Sequence, residues 1–288
     1  MDLLASFFVL ALVGFCIGIF SGLLGIGGGT IMVPVFRLLF GMSALASTAT
    51  SLFTIVPTSF SGALTRIREK SCILSLGIAL GFGGAFTSPV GVWLSSISPA
   101  WLVMVAAALV IAYSAVSMFM KAVKLKSEAG VLPVQASTEE SHTAQAAHTA
   151  QAAQAPDTTQ TAKPTKKQLA IGFAIGVVAG LASGYIGVGG GFLMVPLMVN
   201  VLGLSMKKAS GSSLVAMVIL AVPGVIGHII LGNVDYVVGI AVALGSIPGA
   251  VIGASLVKRI PERALRFTFS CFLLVAAALL ALKELSIW

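Results

Sequence analysis

Gly22–Pro34 reads GLLGIGGGTIMVP, and Gly184–Pro196 reads GYIGVGGGFLMVP. Each copy breaks a long apolar run with glycines: Gly22, Gly25, Gly27, Gly28 and Gly29 in the first, Gly184, Gly187, Gly189, Gly190 and Gly191 in the second. One glycine inside a helix costs roughly 1 kcal/mol relative to alanine, so a cluster of them ends a helix. In hydrocarbon the backbone groups so released have no water to bind. Such a break therefore persists only where protein encloses it or where it lines a wet cavity.

The composition supplies the membrane. Of 288 residues, 58% are hydrophobic and only 9% charged, against about 25% charged in a soluble domain. The mean hydropathy is +1.07. Apolar runs long enough to cross a bilayer recur along the chain, and helices apolar on all sides have no place in a soluble fold. The net charge of +8 does not indicate nucleic acid, because the basic residues sit in short loops where they set orientation. Cys16, Cys72 and Cys271 lie in or beside apolar segments, have no zinc or disulfide spacing, and read as small buried apolar residues. With no basic n-region, the first apolar run reads as a retained helix, not a cleaved signal.

Sliding the chain against itself by 162 residues superposes Ser21, Gly22, Gly25, Gly27, Gly28, Gly29, Met32, Val33 and Pro34 on Ser183, Gly184, Gly187, Gly189, Gly190, Gly191, Met194, Val195 and Pro196. The same offset carries Gly41 to Gly203, Ser51 to Ser213, Gly62 to Gly224 and Gly91 to Gly253 without a gap. This marks an internal duplication. Three regions follow: a first membrane repeat over 1–120, a low-complexity linker over 121–167, and a second membrane repeat over 168–288. The linker is rich in Ala, Gln, Thr and Ser, carries HTAQAA twice in tandem, and has too little apolar content to fold alone. His142 and His148 are metal-capable, but two histidines on such a segment read as linker.

Each repeat predicts five helical segments. In the first they cover Leu3–Leu24, Thr30–Phe40, Ala44–Thr65, Cys72–Ser96 and Ala100–Met120. In the second they cover Gln168–Ile186, Phe192–Leu202, Lys208–Leu231, Tyr236–Val257 and Arg263–Leu282. The second segment of each repeat is about 11 residues long, or ~17 Å, too short for a core of about 30 Å. It reads as a half-helix entered through the glycine break. Arg66, Arg68, Lys70, the linker lysines, Lys207, Lys208, Lys258, Arg259, Arg263 and Arg266 are assigned to the cytoplasm by the positive-inside rule. The connections near Gly41–Ser43, Ile97–Pro99 and Leu231–Tyr236 hold no Lys or Arg. The two sets alternate without conflict, so matching segments run in opposite directions and both termini lie outside. The fold class is thus an all-α polytopic membrane protein of two inverted-topology repeats, a plan shared by many secondary transporters.

Two breaks related by inversion would meet near the midplane. A helix N-terminus carries about +0.5 of a charge and unpaired N–H donors, which suits an anion. The expected substrate-binding set is Gly27, Gly28 and Gly29 with Ser47, Thr50 and Ser51 of STATSL, and Gly189, Gly190 and Gly191 with Ser210, Ser212 and Ser213 of ASGSSL. Each hydroxyl cluster is expected to serve the break of its own repeat. Small hydroxyl residues also pack membrane helices closely, a reading that stays open for each one singly.

Other chemistry lacks residues. Neither a P-loop nor a dinucleotide fingerprint fits the glycines, and no HExxH, GxSxG or carboxylate pair occupies a span. An enzyme, a cofactor and a resident metal are therefore not expected. All nine acidic residues lie at ends, in loops or in the linker, which removes the usual carboxylate proton relay. His228, which aligns with Arg66, is the one titrating candidate in its segment, and a place near a helix end accounts for it. Arg37 in the first half-helix either draws anions or snorkels to the surface.

The two GxGGGxxxVP copies, each closing a first helix, with STATSL and ASGSSL downstream, resemble the sulfite exporter TauE/SafE family across both repeats. The resemblance implies a multi-pass protein of the bacterial inner membrane that moves small sulfur-containing anions, such as sulfite or organosulfonates, outward. Its partners would be that anion and the lipid bilayer. Without a membrane carboxylate, uniport or exchange is expected, with export aided by an inside-negative potential. A non-transporting membrane scaffold or an anion channel are the rival readings of the same features.

Overall fold

The computed structural model describes residues 3–129 and 164–285. It contains α1 (Leu3–Leu24), α2 (Gly29–Leu39), α3 (Ala44–Arg68), α4 (Leu74–Ile97), α5 (Ala100–Ala129), α6 (Lys166–Ile186), α7 (Gly191–Val201), α8 (Met206–Ile230), α9 (Tyr236–Leu256) and α10 (Glu262–Leu285), with a 3₁₀ turn at Val257–Arg259. No strand occurs among the described residues. The protein is an all-α polytopic membrane protein. The expected segments reappear with small shifts at their ends, except that α5 continues past Met120 to Ala129, into the start of the stretch assigned to the linker. Its remainder, including His142, His148 and both HTAQAA copies, lies mostly outside the described residues.

Local chemistry sets the boundaries. Ser43 Oγ accepts the Ala46 N–H at 3.2 Å to start α3. Thr165 and Gln168 form a capping box at α6, and Asp235 Oδ1 accepts the Val238 N–H at 3.1 Å at α9; each satisfies donors left over in a first turn. The short helices start otherwise. Gly28 at φ 83° and Gly190 at φ 49° precede α2 and α7 in the left-handed region, with no side-chain cap. A residue with a β-carbon is strained there.

Among the described residues, six helices have the length and hydropathy to cross a bilayer: α1, α4, α5, α6, α8 and α9. The 25-residue α3 carries nine Ser and Thr, which lowers its hydropathy, and buries many of them inside the bundle. Large apolar side chains point outward instead, among them Phe8, Phe86, Leu109 and Ile230, as lipid contact requires. Trp93, Trp101 and Tyr236 are exposed at the end of α4 and the starts of α5 and α9, where an aromatic belt belongs. The cysteines depart from expectation: Cys16 and Cys271 are exposed, Cys72 is half-buried, and all three are free thiols. Cys72 lies before α4, and burial raises its thiol pKa above the ordinary value, with Arg66 opposing that shift.

Small residues decide which helices touch. Gly14, Gly18 and Gly22 of α1 face the backbone at Val242, Ser246 and Ala250 of α9. Gly176, Gly180 and Gly184 of α6 face the backbone at Leu80, Gly84 and Ser88 of α4 in the same manner, and Gly172 faces the Leu76 side chain. Numbers rise together in both pairs, so each pair runs parallel. At the centre, Leu52 and Gly62 of α3 lie against Gly224 and Leu214 of α8, while Arg66 reaches Ser210. There numbers rise on one helix as they fall on the other, so α3 and α8 cross antiparallel. Every first helix thus packs against the other repeat, and the halves interlock. Backbones without side chains between them come close enough for dispersion to hold helices together in lipid.

This packing makes a graded prediction. A β-carbon at Gly176 would collide with the Leu80 main chain, which cannot yield, whereas one at Gly227 would meet the Val92 side chain at an ordinary 3.4 Å. Gly176→Ala is expected to cost about 1–3 kcal/mol and to lower the thermal midpoint in detergent by several degrees. Gly227→Ala should leave it unchanged or slightly raised. Equal tolerance of both would refute the α4–α6 contact.

Candidate functional site

The two breaks touch. A β-carbon at Gly29 would stand 2.5 Å from the Val188 carbonyl oxygen, and one at Gly191 would stand 2.7 Å from that of Gly25. The N-termini of α2 and α7 therefore begin side by side in the middle of the bundle. Ile55 of α3 and Met217 of α8, which match under the repeat offset, fill the space between them. Met217 Sδ lies 2.6 Å from a β-carbon at Gly27, and Ile55 Cδ1 lies 2.6 Å from one at Gly189. The centre is sealed by apolar side chains.

The hydroxyl helices serve the opposite break, not their own. Ser51 Oγ donates to the Gly187 carbonyl, and its match Ser213 Oγ donates to the Gly25 carbonyl at 2.6 Å. Thr48 Oγ1 also reaches the Ile186 carbonyl at 3.3 Å. The reason is the interlock: α1 ends against α8, and α6 ends against α3. These bonds satisfy carbonyls that the breaks leave without a helical partner. Thr50 and Ser212 turn away from the breaks. Thr50 Oγ1 accepts the Asp235 N–H at 3.0 Å and Ser212 Oγ accepts the Ile73 N–H at 2.9 Å, so each pins a connection of the other repeat. Ser210 donates to the Lys207 carbonyl at 3.0 Å and accepts from Arg66. Ser47 is fully buried with no partner for its hydroxyl.

Four polar side chains absent from the expected set join this region. Ser21 and Ser183 are fully buried, and neither hydroxyl has a partner. Their β-carbons lie 3.5 and 3.6 Å from β-carbons placed at Gly28 and Gly190, beside the left-handed caps. Thr30, in the first turn of α2, is likewise buried and unpartnered. The signal for Ser21 and Ser183 was already in the duplication, because they superpose on each other. Arg66 is the larger correction. Assigned to a cytoplasmic loop from sequence, it lies inside α3 with no exposed surface. Its Nη2 donates to the Gly22 and Leu23 carbonyls at 3.1 and 3.2 Å and to Ser210 Oγ at 3.1 Å. The helix simply runs three residues beyond its expected end at Thr65, which turns a loop charge into an interior one. His228 occupies the matching place in α8, fully buried, with both ring nitrogens unpartnered. Arg37 is half-buried in the last turn of α2.

The two ends of the bundle differ. At the end poor in Lys and Arg, a cavity of about 200 Å³ is lined by Thr48, Ser95, Ser96 and Ser98 together with Ala44, Leu45, Ala100 and Val103. The offset maps Ala44 to Met206, Leu45 to Lys207 and Ala100 to Glu262. At that matching place, by the basic end, the Met206 N–H donates to Glu262 Oε1 at 3.0 Å and Lys207 Nζ to the Lys258 carbonyl at 3.4 Å. Lys258 also approaches Glu69 at 3.7 Å, and Arg266 pairs with Glu262 at 2.5 Å. One repeat therefore has a hydroxyl-lined cavity where the other has a polar closure.

The family model for the sulfite exporter TauE/SafE matches residues 10–280, and the chain belongs to that family. It is 29% identical over 259 residues to the probable membrane transporter protein YdhB of Bacillus subtilis (strain 168), covering 90% of this chain and 93% of that one. It is 24% identical over 265 residues to the probable membrane transporter protein YunE of the same organism, covering 90% and 91%. A probable membrane transporter protein of Xylella fastidiosa (strain 9a5c) is 31% identical over 86 residues, 30% of this chain and 33% of that one. No solved structure matches. The chain is a multi-pass membrane transporter.

The hydroxyls divide into structural and free ones, which stability measurements separate. Ser51→Ala and Ser213→Ala each strip a carbonyl at a break of its donor and should each cost about 1–3 kcal/mol. Ser47→Ala removes a hydroxyl that bonds nothing in the protein and should leave the thermal midpoint within a degree or two of the parent.

Proposed function

We propose that this TauE/SafE member exports a small sulfur-containing oxyanion, sulfite or an organosulfonate, across the bacterial inner membrane by alternating access, as a carrier and not an enzyme. The observation that carries the reading is the meeting of two half-helix N-termini, each with an unpartnered buried serine beside it. The twin dipole ends favour negative charge, and Ser21 and Ser183 supply neutral donors for the oxygens. Gly27, Gly28 and Gly29, with Gly189, Gly190 and Gly191, let the backbone approach the anion without side chains in the way. Ser51 and Ser213 hold the breaks in shape, while Ser47 adds a further free hydroxyl.

The halves act as inverted repeats, a reading supported by the antiparallel crossing of α3 and α8 and by the parallel pairs α1–α9 and α4–α6. With the basic connections in the cytoplasm, both termini lie outside, and the closed end faces the cytoplasm. Export then needs two exchanges: the Glu262, Lys258 and Glu69 contacts part, the anion passes Ile55 and Met217, and it leaves through the Thr48 and serine-lined cavity. Rocking of interlocked repeats around a fixed site is the physical route.

The test is saturable flux in liposomes with an imposed potential, using sulfite, methanesulfonate and sulfate. Ser21→Ala with Ser183→Ala loses no hydrogen bond within the protein, so the variant should fold normally. Two donors to a charged group, at about 1.5–3 kcal/mol each, predict a KM raised at least about tenfold. Unchanged KM would remove the serines from the site. Gly28→Val or Gly190→Val should abolish flux, and either variant transporting normally would refute the midplane site. Absence of flux for every probe with the parent protein would favour a non-transporting scaffold, and flux that never saturates would favour a channel.

A further inference from the structure

Arg66 is the only formally charged side chain fully buried among the described residues, and its bonding is incomplete. A guanidinium carries five N–H bonds. Nη2 is engaged by the Gly22 and Leu23 carbonyls and by Ser210, while Nε and Nη1 are buried without a partner. A buried charge with open donors is costly unless something compensates it. No carboxylate does so by direct contact. Glu69, one turn along, has its Oε1 3.7 Å from Lys258, and its Oε2 is itself unpartnered. A purely structural clamp on the end of α1 needs one nitrogen, which Lys would provide. The guanidinium keeps separate donors on Nε and Nη1 for oxyanion oxygens.

Position adds direction. Arg66 stands one turn inside the closed, basic end, on the approach from Lys258 and Lys207 to the break at Gly25. The matching place near the other end holds His228, an imidazole where the first repeat has a guanidinium. The two mouths therefore differ in side-chain chemistry although the repeats match.

We propose that Arg66 is the loading subsite for a soluble oxyanion at the cytoplasmic mouth, sealed in the present state and exposed when the Glu262 and Lys258 contacts part. This rests on the transport reading above. Nη1 takes an anion oxygen, Ser210 lies alongside, and Nη2 stays on the α1 carbonyls. The anion then passes to the half-helix N-termini, and release occurs at the end that lacks a fixed buried cation.

The full-length protein in neutral, lipid-free detergent tests this through its thermal midpoint, titrated with sodium sulfite or sodium methanesulfonate against sodium chloride at equal ionic strength. The parent should show a saturating rise specific to the oxyanions. Arg66→Lys keeps a charge and a carbonyl clamp, should fold, and should raise the half-saturating concentration at least about tenfold. Arg66→Gln should lose the response, and Glu69→Gln should retain it. Overturning results are an Arg66→Lys titration that coincides with the parent, a Glu69→Gln variant that loses the response, or stabilisation by phosphatidylglycerol with none by the oxyanions. In liposomes, an unchanged KM for Arg66→Lys beside normal parental flux defeats the subsite alone. No parental flux defeats the transport reading itself.

Discussion

Everything in this bundle depends on what happens to carbonyls released where α1 and α6 stop. Hydrocarbon offers them no water, so protein must supply donors. Ser213 reaches Gly25, and Ser51 reaches Gly187, each from the other repeat. These two bonds fix several things at once. They require that α1 end against α8 and α6 against α3, which makes the halves interlock. They hold the left-handed glycines Gly25 and Gly187 that follow α1 and α6. They also account for hydroxyls on α3, a helix that would otherwise be a poor membrane span. A broken helix is stable here because its repair is built by its duplicate.

Duplication gives two matched half-structures, yet a carrier at rest cannot treat both sides alike. The offset makes the differences readable residue by residue. Ala44 and Ala100 line a cavity at one end, while Met206 and Glu262 bond each other at the matching place. Arg66 and His228 occupy equivalent interior positions, one a guanidinium and one an imidazole. The first difference is the kind that conformational exchange would reverse. The second is fixed in sequence, and under the proposed rocking of the repeats it would persist in every state.

Much of this was legible in the amino-acid order. Gly25, Gly27, Gly28, Gly187, Gly189 and Gly190 announce the breaks through a property of glycine alone, and the repeat offset pairs them. Helix ends came within a few residues, because caps such as Ser43, Thr165 and Asp235 are local chemistry. What escaped was partnership. Nothing near STATSL says that Ser51 bonds Gly187, since that depends on which helices interlock. Thr50 and Ser212 belong to the same clusters as Ser51 and Ser213, but the helical turn aims them at the connections before α9 and α4. Arg66 was misplaced by three residues of helix, a small error in length that moves a charge from water to the interior. The cysteines misled for a related reason: in a bilayer, exposed and apolar coincide, so low polarity does not mean burial.

The charge distribution bears on the outward anion movement proposed above. The spans hold no carboxylate to repel an anion or to carry a proton with it. Positive potential instead comes from two helix N-termini near the centre and one guanidinium toward the basic end. A membrane potential contributes about 2.3 kcal/mol per elementary charge per 100 mV, and in the proposed orientation, with the basic end in a negative cytoplasm, it would drive an anion away from that end. In the proposed cycle, a binding cation near that end would raise occupancy where the potential lowers it, and release would occur from the end without one. Under the proposed route, the asymmetric pair Arg66 and His228 would supply no driving force, but would let loading and release differ in affinity along a path whose two halves match under the repeat offset.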